Sequence, residues 1–228
     1  MINAALSADI ISYTSLAERD RQGLEKVLTE YLQKLEGRYQ KQKLYFRIVS
    51  GDQIECALEH PGPALRISLL LKLKTLLYQP VEPTTDSARA KYFRENGLRI
   101  AIGCAEGLIF SRKDNRIDGP PIYMSGRAIK KHATAGKEKA TVIETLFYAD
   151  TDKKRECHFQ AVFALLDHLI SKSTQKQREV LLMKLEGLSE KEIMKQLGKA
   201  QSTISAHSTQ GGWPAIEKTL EMFEGEFL

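Results

Sequence analysis

The residues best placed to do chemistry lie near the C-terminal end. Lys199, Gln201, Ser202, Thr203, Ser205, His207 and Ser208 fall within one short stretch. A helix that is narrow and polar in this way can meet base edges in a DNA groove, with Lys195 and Lys199 against phosphates. A second set is dispersed along the chain. Asp9 ends an apolar run in "SADIISYTSLAERD", Asp52 follows Gly51 at a turn in "RIVSGDQIECAL", and Arg127 lies in "GPPIYMSGRAIKK". Each also has an ordinary structural use. Asp9 can cap a helix together with Thr14 and Ser15, Asp52 suits a turn, and Arg127 can be a solvated helix residue. Other chemistries find no support. His60, His132, His158, His168 and His207 have no metal-binding spacing, Cys56, Cys104 and Cys157 form no CxxC, and no nucleophile-elbow motif is present.

The elements that must position these residues follow from periodicity. Ile2–Ile11 alternates as a buried strand, and Leu16–Tyr39 carries one apolar helical face. Leu44–Val49 and Ile54–Leu58 flank Ser50–Gln53 as a β-hairpin. Pro61-Gly62-Pro63 precedes an amphipathic helix over Ala64–Tyr78. Pro80–Ser87 reads as a loop leading to a short helix that ends at Asn96. Leu98–Cys104 is a core strand, Gly107–Phe110 a short turn and strand, 111–121 a polar basic loop, Ile122–His132 a helix and Ala140–Ile143 a last strand. Strand–helix–strand–strand–helix–strand is the split βαβ order of a ferredoxin-like α/β sandwich. The predicted class is α+β, with an all-α C-terminal region. The predicted division is an α/β domain over 1–152, a linker helix over 153–173 and a helical domain over 174–228.

Within that last region, Val180, Leu181 and Leu185 line a helix that Gly187 stops. Ser189 and Glu192 form a capping box for a second helix, and Gly198 turns the chain into a third, anchored by Ile204. Trp213 reads as core for a final helix, Ala215–Phe223. The stretch "REVLLMKLEGLSEKEIMKQLGKAQSTIS" resembles the helix-turn-helix of bacterial regulators and the fourth region of sigma factors. That resemblance implies a double-stranded DNA partner, read by a homodimer.

The N-terminal segments resemble those of class III nucleotide cyclases, in order and approximate spacing, over roughly 1–145. The matching features are the strand ending in Asp9-Ile10, the Gly51-Asp52 hairpin, the "LRIAIGC" strand and the Arg127 helix. Over the whole chain the resemblance is to the SatD-like bacterial family. The cyclase resemblance implies Asp9 and Asp52 as metal ligands for Mg²⁺ or Mn²⁺ with a nucleotide, the backbone amides of Ile10, Ile11 and Ser12 facing phosphate, and Arg127 neutralising charge. Two positions depart from the cyclase pattern. Tyr123 stands where a ribose-orienting Asn is expected, and Ile48 where a purine-reading Lys is expected, with Arg47 beside it. The reading is therefore a DNA-binding regulator whose cyclase-like domain dimerises and senses a nucleotide or metal–phosphate ligand. The alternative is a divergent cyclase or nucleotidyl-transfer enzyme.

Composition fits both. The 228 residues carry a net charge of +5 and a pI near 9.0. The basic residues concentrate in 111–140 and 172–210, and the tail is acidic. Lys72 and Lys74 interrupt the most apolar stretch, which excludes a membrane span there. The N-terminal "MINAALSADI" is unlike a signal peptide, so the expected compartment is the cytoplasm.

Overall fold

In the computed structural model, which describes residues 1–81, 87–134 and 144–228, two sequence-distant strands flank the first. Strand β1 (Asn3–Ile10) pairs antiparallel with β3 (Gln53–Leu58) on one side and β4 (Leu98–Ala105) on the other. β2 (Tyr45–Ser50) adds outside β3, and β7 (Leu146–Asp150) adds parallel to β4. The resulting order, β2-β3-β1-β4-β7, is the ferredoxin-like arrangement extended by one strand. The Ala140–Ile143 strand expectation falls outside the described residues.

Alternation along β1 sorts the sheet into two faces. Ala4, Leu6, Ala8 and Ile10 join the main core, while Ala5 belongs to a smaller cluster on the other side with Tyr45, Ala57, Ile117 and Ile122. The main core lies beneath α1 (Glu18–Arg38) and α2 (Ala64–Leu76). α2 is buried on nearly all sides rather than amphipathic, because it lies between the sheet and the neighbouring helices α1, α3 (Ser87–Asn96), α6 (Gln175–Leu185) and α9 (Trp213–Gly225).

Burial reaches Lys72 itself, whose ammonium is 3.2 Å from Asp167 Oδ1 and donates to the carbonyls of Asn96 (3.1 Å) and Leu98 (3.0 Å). Asp167 sits on α5 (Lys153–Lys172) and also accepts from the Thr145 hydroxyl at 2.8 Å. Further along, Tyr148, Phe159, Phe163 and Phe223 form an aromatic cluster, with Phe159 and Phe223 centroids 4.9 Å apart. This cluster joins the last strand, α5 and α9 in the same core.

The opposite face is covered differently. α4 (Pro120–Thr134) lies over β1, β4 and β7, and its closest approach is at Gly103. A Cβ there would meet the Pro121 carbonyl oxygen at 2.1 Å. β5 (Ile109–Ser111), largely the short strand expected at Gly107–Phe110, pairs with β6 (Arg116–Asp118), which lies in the 111–121 stretch expected as a loop. Phe110 stacks on Tyr45, and Ile117 is buried. With Ile117 as its one apolar residue, β6 is too short to give a periodic signal.

Local chemistry sets where two helices begin, α9 two residues ahead of the expected Ala215. α5 starts at Lys153 because Asp152 caps it, accepting from the Lys154 and Arg155 amides. α9 starts at Trp213 with Pro214 in its first turn, a position where the missing N–H costs nothing.

Candidate functional site

The uncovered part of the α4 face holds a cavity of about 540 Å³ at the β1–β3 end. Asp9 reaches it because the alternation that buries Ala8 and Ile10 turns Asp9 the other way. Register then decides its neighbours. Asp9 stands opposite Arg99 on β4 and Gln53 on β3, and Arg99 Nη1 donates to Asp9 Oδ2 at 3.2 Å. Arg99, near the start of β4, is thus the partner of the acid.

Asp52 lies at the same corner. Its carbonyl accepts from Ile10 N–H at 2.9 Å, and its carboxylate accepts from the Ser50 hydroxyl at 3.2 Å. Burial raises the Asp9 carboxyl above its ordinary range; Arg99 pulls it down, and the Asp52 charge adds to the rise. The two acids are thus close enough to repel. Asp52 itself is not part of the cavity wall; it lies on the hairpin tip, where its charge also acts on Tyr13. Carboxylate oxygens suit Mg²⁺ or Mn²⁺, but two are few. Among the described residues no group of three or more His, Cys, Asp or Glu gathers to hold a metal. A cation here would take Asp9 from Arg99 and fill its other positions from a ligand.

The amides expected to face phosphate are largely engaged. Ile10 N–H donates to the Asp52 carbonyl and Ile11 N–H to the Gly97 carbonyl at 3.0 Å, because the strand end is clamped between the hairpin and β4. Ser12 follows in a left-handed conformation, φ 55°, and starts a single 3₁₀ turn rather than a long helix.

Across the cavity, Arg127 and Lys130 stand three residues apart on the same side of α4. Arg127 is exposed, and among the described residues it has no ion pair. Tyr123 also lines the cavity, with its hydroxyl bonded to Asp118. Ile48 packs toward the main core on the far side of the sheet, so the cavity's residue from β2 is Arg47. Arg47 is held by Glu55 at 2.6 Å and donates to the Asn115 carbonyl. Glu55, Gln53 and Lys130 escaped sequence reading; strand alternation alone could have placed Arg47 and Glu55 on the cavity face.

Neither the family models nor the curated proteins matched this chain. Solved structures similar to it include nucleotide cyclases. Adenylate cyclases from Trypanosoma brucei in their monomeric state are 20% identical, with 55% of this chain and 66% of theirs covered and a TM-score of 0.37. For the guanylyl cyclase Cya2 the values are 14%, 56%, 68% and 0.36. For a bacterial light-regulated adenylyl cyclase they are 15%, 65%, 42% and 0.41. The chain thus spans between 42% and 68% of the length of these structures. Its own sheet order and register define the fold. Among the described residues no helix is long and apolar enough to cross a membrane.

The other set of residues, Lys195 and Lys199 with the polar residues after them, lies in the C-terminal helices. α6 opens with a capping box of Thr174 and Gln177, and α7 (Glu190–Leu197) with the expected box of Ser189 and Glu192. Gly198, at φ 61°, makes the left-handed turn toward α8 (Gln201–Gln210). Val180, Ile193 and Ile204 form a small core between the three helices. Lys195, Lys199, Gln201, Ser202 and Ser205 are exposed, and Thr203 and His207 are half-covered. Ser208 is buried, unlike the expectation, because it lies one turn after Ile204 and shares its inward face. Trp213 is buried, with Lys184 over its ring.

Proposed function

We propose that the protein is a DNA-binding regulator whose α/β part binds a nucleotide or another phosphate-bearing ligand. The observation that carries this reading is the outer face of α8. Ile204 and Ser208 anchor the helix, while Gln201, Ser202 and Ser205 stay open beside Lys195 and Lys199. The α8 sequence contains no acid that would repel phosphates. A homodimer would present two such helices about 34 Å apart to successive major-groove turns. The ligand half rests on the cavity, where the exposed Arg127 faces the Asp9 corner across a space suited to a small molecule. A bound phosphate would meet Arg127, and Asp9, with Asp52 at the same corner, would hold an Mg²⁺ or Mn²⁺ that offsets its charge.

Fluorescence anisotropy with duplex DNA at several salt concentrations tests the reading. Binding should weaken steeply with salt, and Lys195→Glu with Lys199→Glu should abolish it. Salt-independent association, or none, removes the DNA half. Titration with ATP or GTP and Mn²⁺ tests the ligand half, which fails if Arg127→Ala and Asp9→Ala bind as the parent does.

A second reading, a divergent cyclase or nucleotidyl-transfer enzyme, is favoured by the placing of Asp9 and Asp52 at one corner, where the Asp52 carbonyl holds the Ile10 amide. Three features weigh against turnover: Arg99 occupies Asp9, Tyr123 is engaged with Asp118, and Ile48 points away from the cavity. Cyclic product from labelled triphosphate would establish this reading in place of the first.

A further inference from the structure

α8 is fastened at its C-terminal end. A Cβ on Gly211 would come within 3.3 Å of Gln177 and Leu181 of α6, and one on Gly212 within 2.5 Å of Leu169 of α5. α9, which follows directly, lies in the main core through Trp213, Ile216, Leu220 and Phe223. The open residues Gln201, Ser202 and Ser205 lie in the first half of α8. That half rests on α7 and on the small core of Val180, Ile193 and Ile204. A pivot about the fastened end would carry the polar face with it.

A contact where α6 turns into α7 opposes such a pivot. Glu186 ends α6, and its side chain is 18% exposed. Its carboxylate accepts from the Tyr31 hydroxyl and the Lys34 ammonium, each at 3.0 Å. Its backbone carbonyl accepts from Arg38 Nη1 at 2.9 Å. Three- and four-residue spacing puts Tyr31, Lys34 and Arg38 on one face of α1. Gly187 then makes the turn at φ 85°, and Lys184 pairs with Glu190 across it at 3.1 Å. The grip from α1 therefore falls on the hinge between α6 and α7. Lys34 is exposed, so its ion pair is screened and adds little. The Tyr31 bond matters more, because Tyr31 is buried and its ring is flanked by Lys34 and Lys74.

We infer that Glu186 is a positioning residue for DNA binding: gripped by Tyr31 and Lys34 of α1, it holds α7 and the first half of α8 at one angle to the α/β part. The consequence rests on the DNA-binding reading; the grip itself does not. In a homodimer, two α8 helices held this way stand at one spacing. A protomer with a loosened hinge meets DNA in the competent orientation only part of the time, and its apparent affinity falls by that fraction.

The test places spin labels on the full chain at the exposed Cys157 of α5 and at Ser205→Cys on α8; Cys56 and Cys104 are buried. Samples are diluted with unlabelled chain, so that only distances within one protomer are read by pulsed electron resonance. The parent should give one narrow distribution, and Tyr31→Phe and Glu186→Gln each a distinctly broader one. Unlabelled chains with Ser205 intact are then titrated with duplex DNA by fluorescence anisotropy. Tyr31→Phe leaves the net charge unchanged and should weaken binding about threefold to tenfold, with the parent's salt dependence, because the phosphate contacts are kept. The double variant should bind little worse than Glu186→Gln alone, since both changes break one contact. Distributions as narrow as the parent's, or broadened ones with DNA affinity unchanged, overturn the inference. A parent that binds no DNA removes the DNA-binding reading and this consequence together, whereas unbroadened labels in a parent that binds DNA sink the inference alone. Tyr31→Phe keeps the ring in the core and decides the matter even if Glu186→Gln does not fold.

Discussion

Replacing Asp167 by Ala should be among the most damaging single changes in the α/β core. Lys72 and Asp167 are 1% and 3% exposed at their side chains, so the pair is shielded from water. Burial lowers the Lys72 ammonium from its ordinary range, with the Asp167 charge opposing that fall. Removing the carboxylate leaves Lys72 with neutral oxygens alone and takes an acceptor from the Thr145 hydroxyl and amide. Breaking one side of a buried pair costs roughly 3–5 kcal/mol. That is a large share of the roughly 5–15 kcal/mol by which a domain is stable. Urea unfolding followed by circular dichroism would read this as a lowered midpoint at unchanged slope. The double change Lys72→Met with Asp167→Leu removes both charges and should recover about 2 kcal/mol or more of the summed single losses. If Asp167→Ala costs less than about 1 kcal/mol, or the two single losses simply add, the pair is not the stabilising link described here.

Other expectations are simpler. The raised Asp9 carboxyl means that the folded chain takes up a proton there before the unfolded chain does. Stability held back above the folded pKa returns as pH falls through it, so Asp9→Asn should raise the thermal midpoint at pH 7 and lose that advantage near pH 4. A thiol-reactive dye should label Cys157 alone in the native chain and all three cysteines in denaturant. Cys56 and Cys104 are buried, and burial pushes the Cys104 thiol up to about 12. Gly103→Ala should destabilise by about 2–3 kcal/mol, measured by thermal denaturation, because the added Cβ meets the backbone of α4. Ser189→Ala should cost about 1 kcal/mol by removing the α7 cap, measured the same way.

Much of the fold could be read from residue pattern. Alternation at 2–11 located β1, the spacing of Leu24, Leu28, Leu32 and Leu35 located α1, and the order of elements anticipated the ferredoxin-like sheet. Capping chemistry located α7 to the residue, because Ser189 and Glu192 interact locally. What escaped depends on distant pairing. Nothing near Arg99 in the chain announces that register will set it opposite Asp9. Nor does anything near Lys72 announce a carboxylate from α5, so its charge read only as an interruption of an apolar run. Ser208 was misread for a different reason. Its polarity suited a groove, but helical period placed it behind Ile204, where small size matters more than polarity.

The aromatic cluster around Phe223 has a mechanical consequence. To swing α9 away from the sheet, the chain would have to expose Tyr148, Phe159, Phe163 and Phe223 to water together, at several kcal/mol. The last strand, α5 and α9 therefore move together or not at all, and the end of the chain is bolted to the sheet instead of trailing from it.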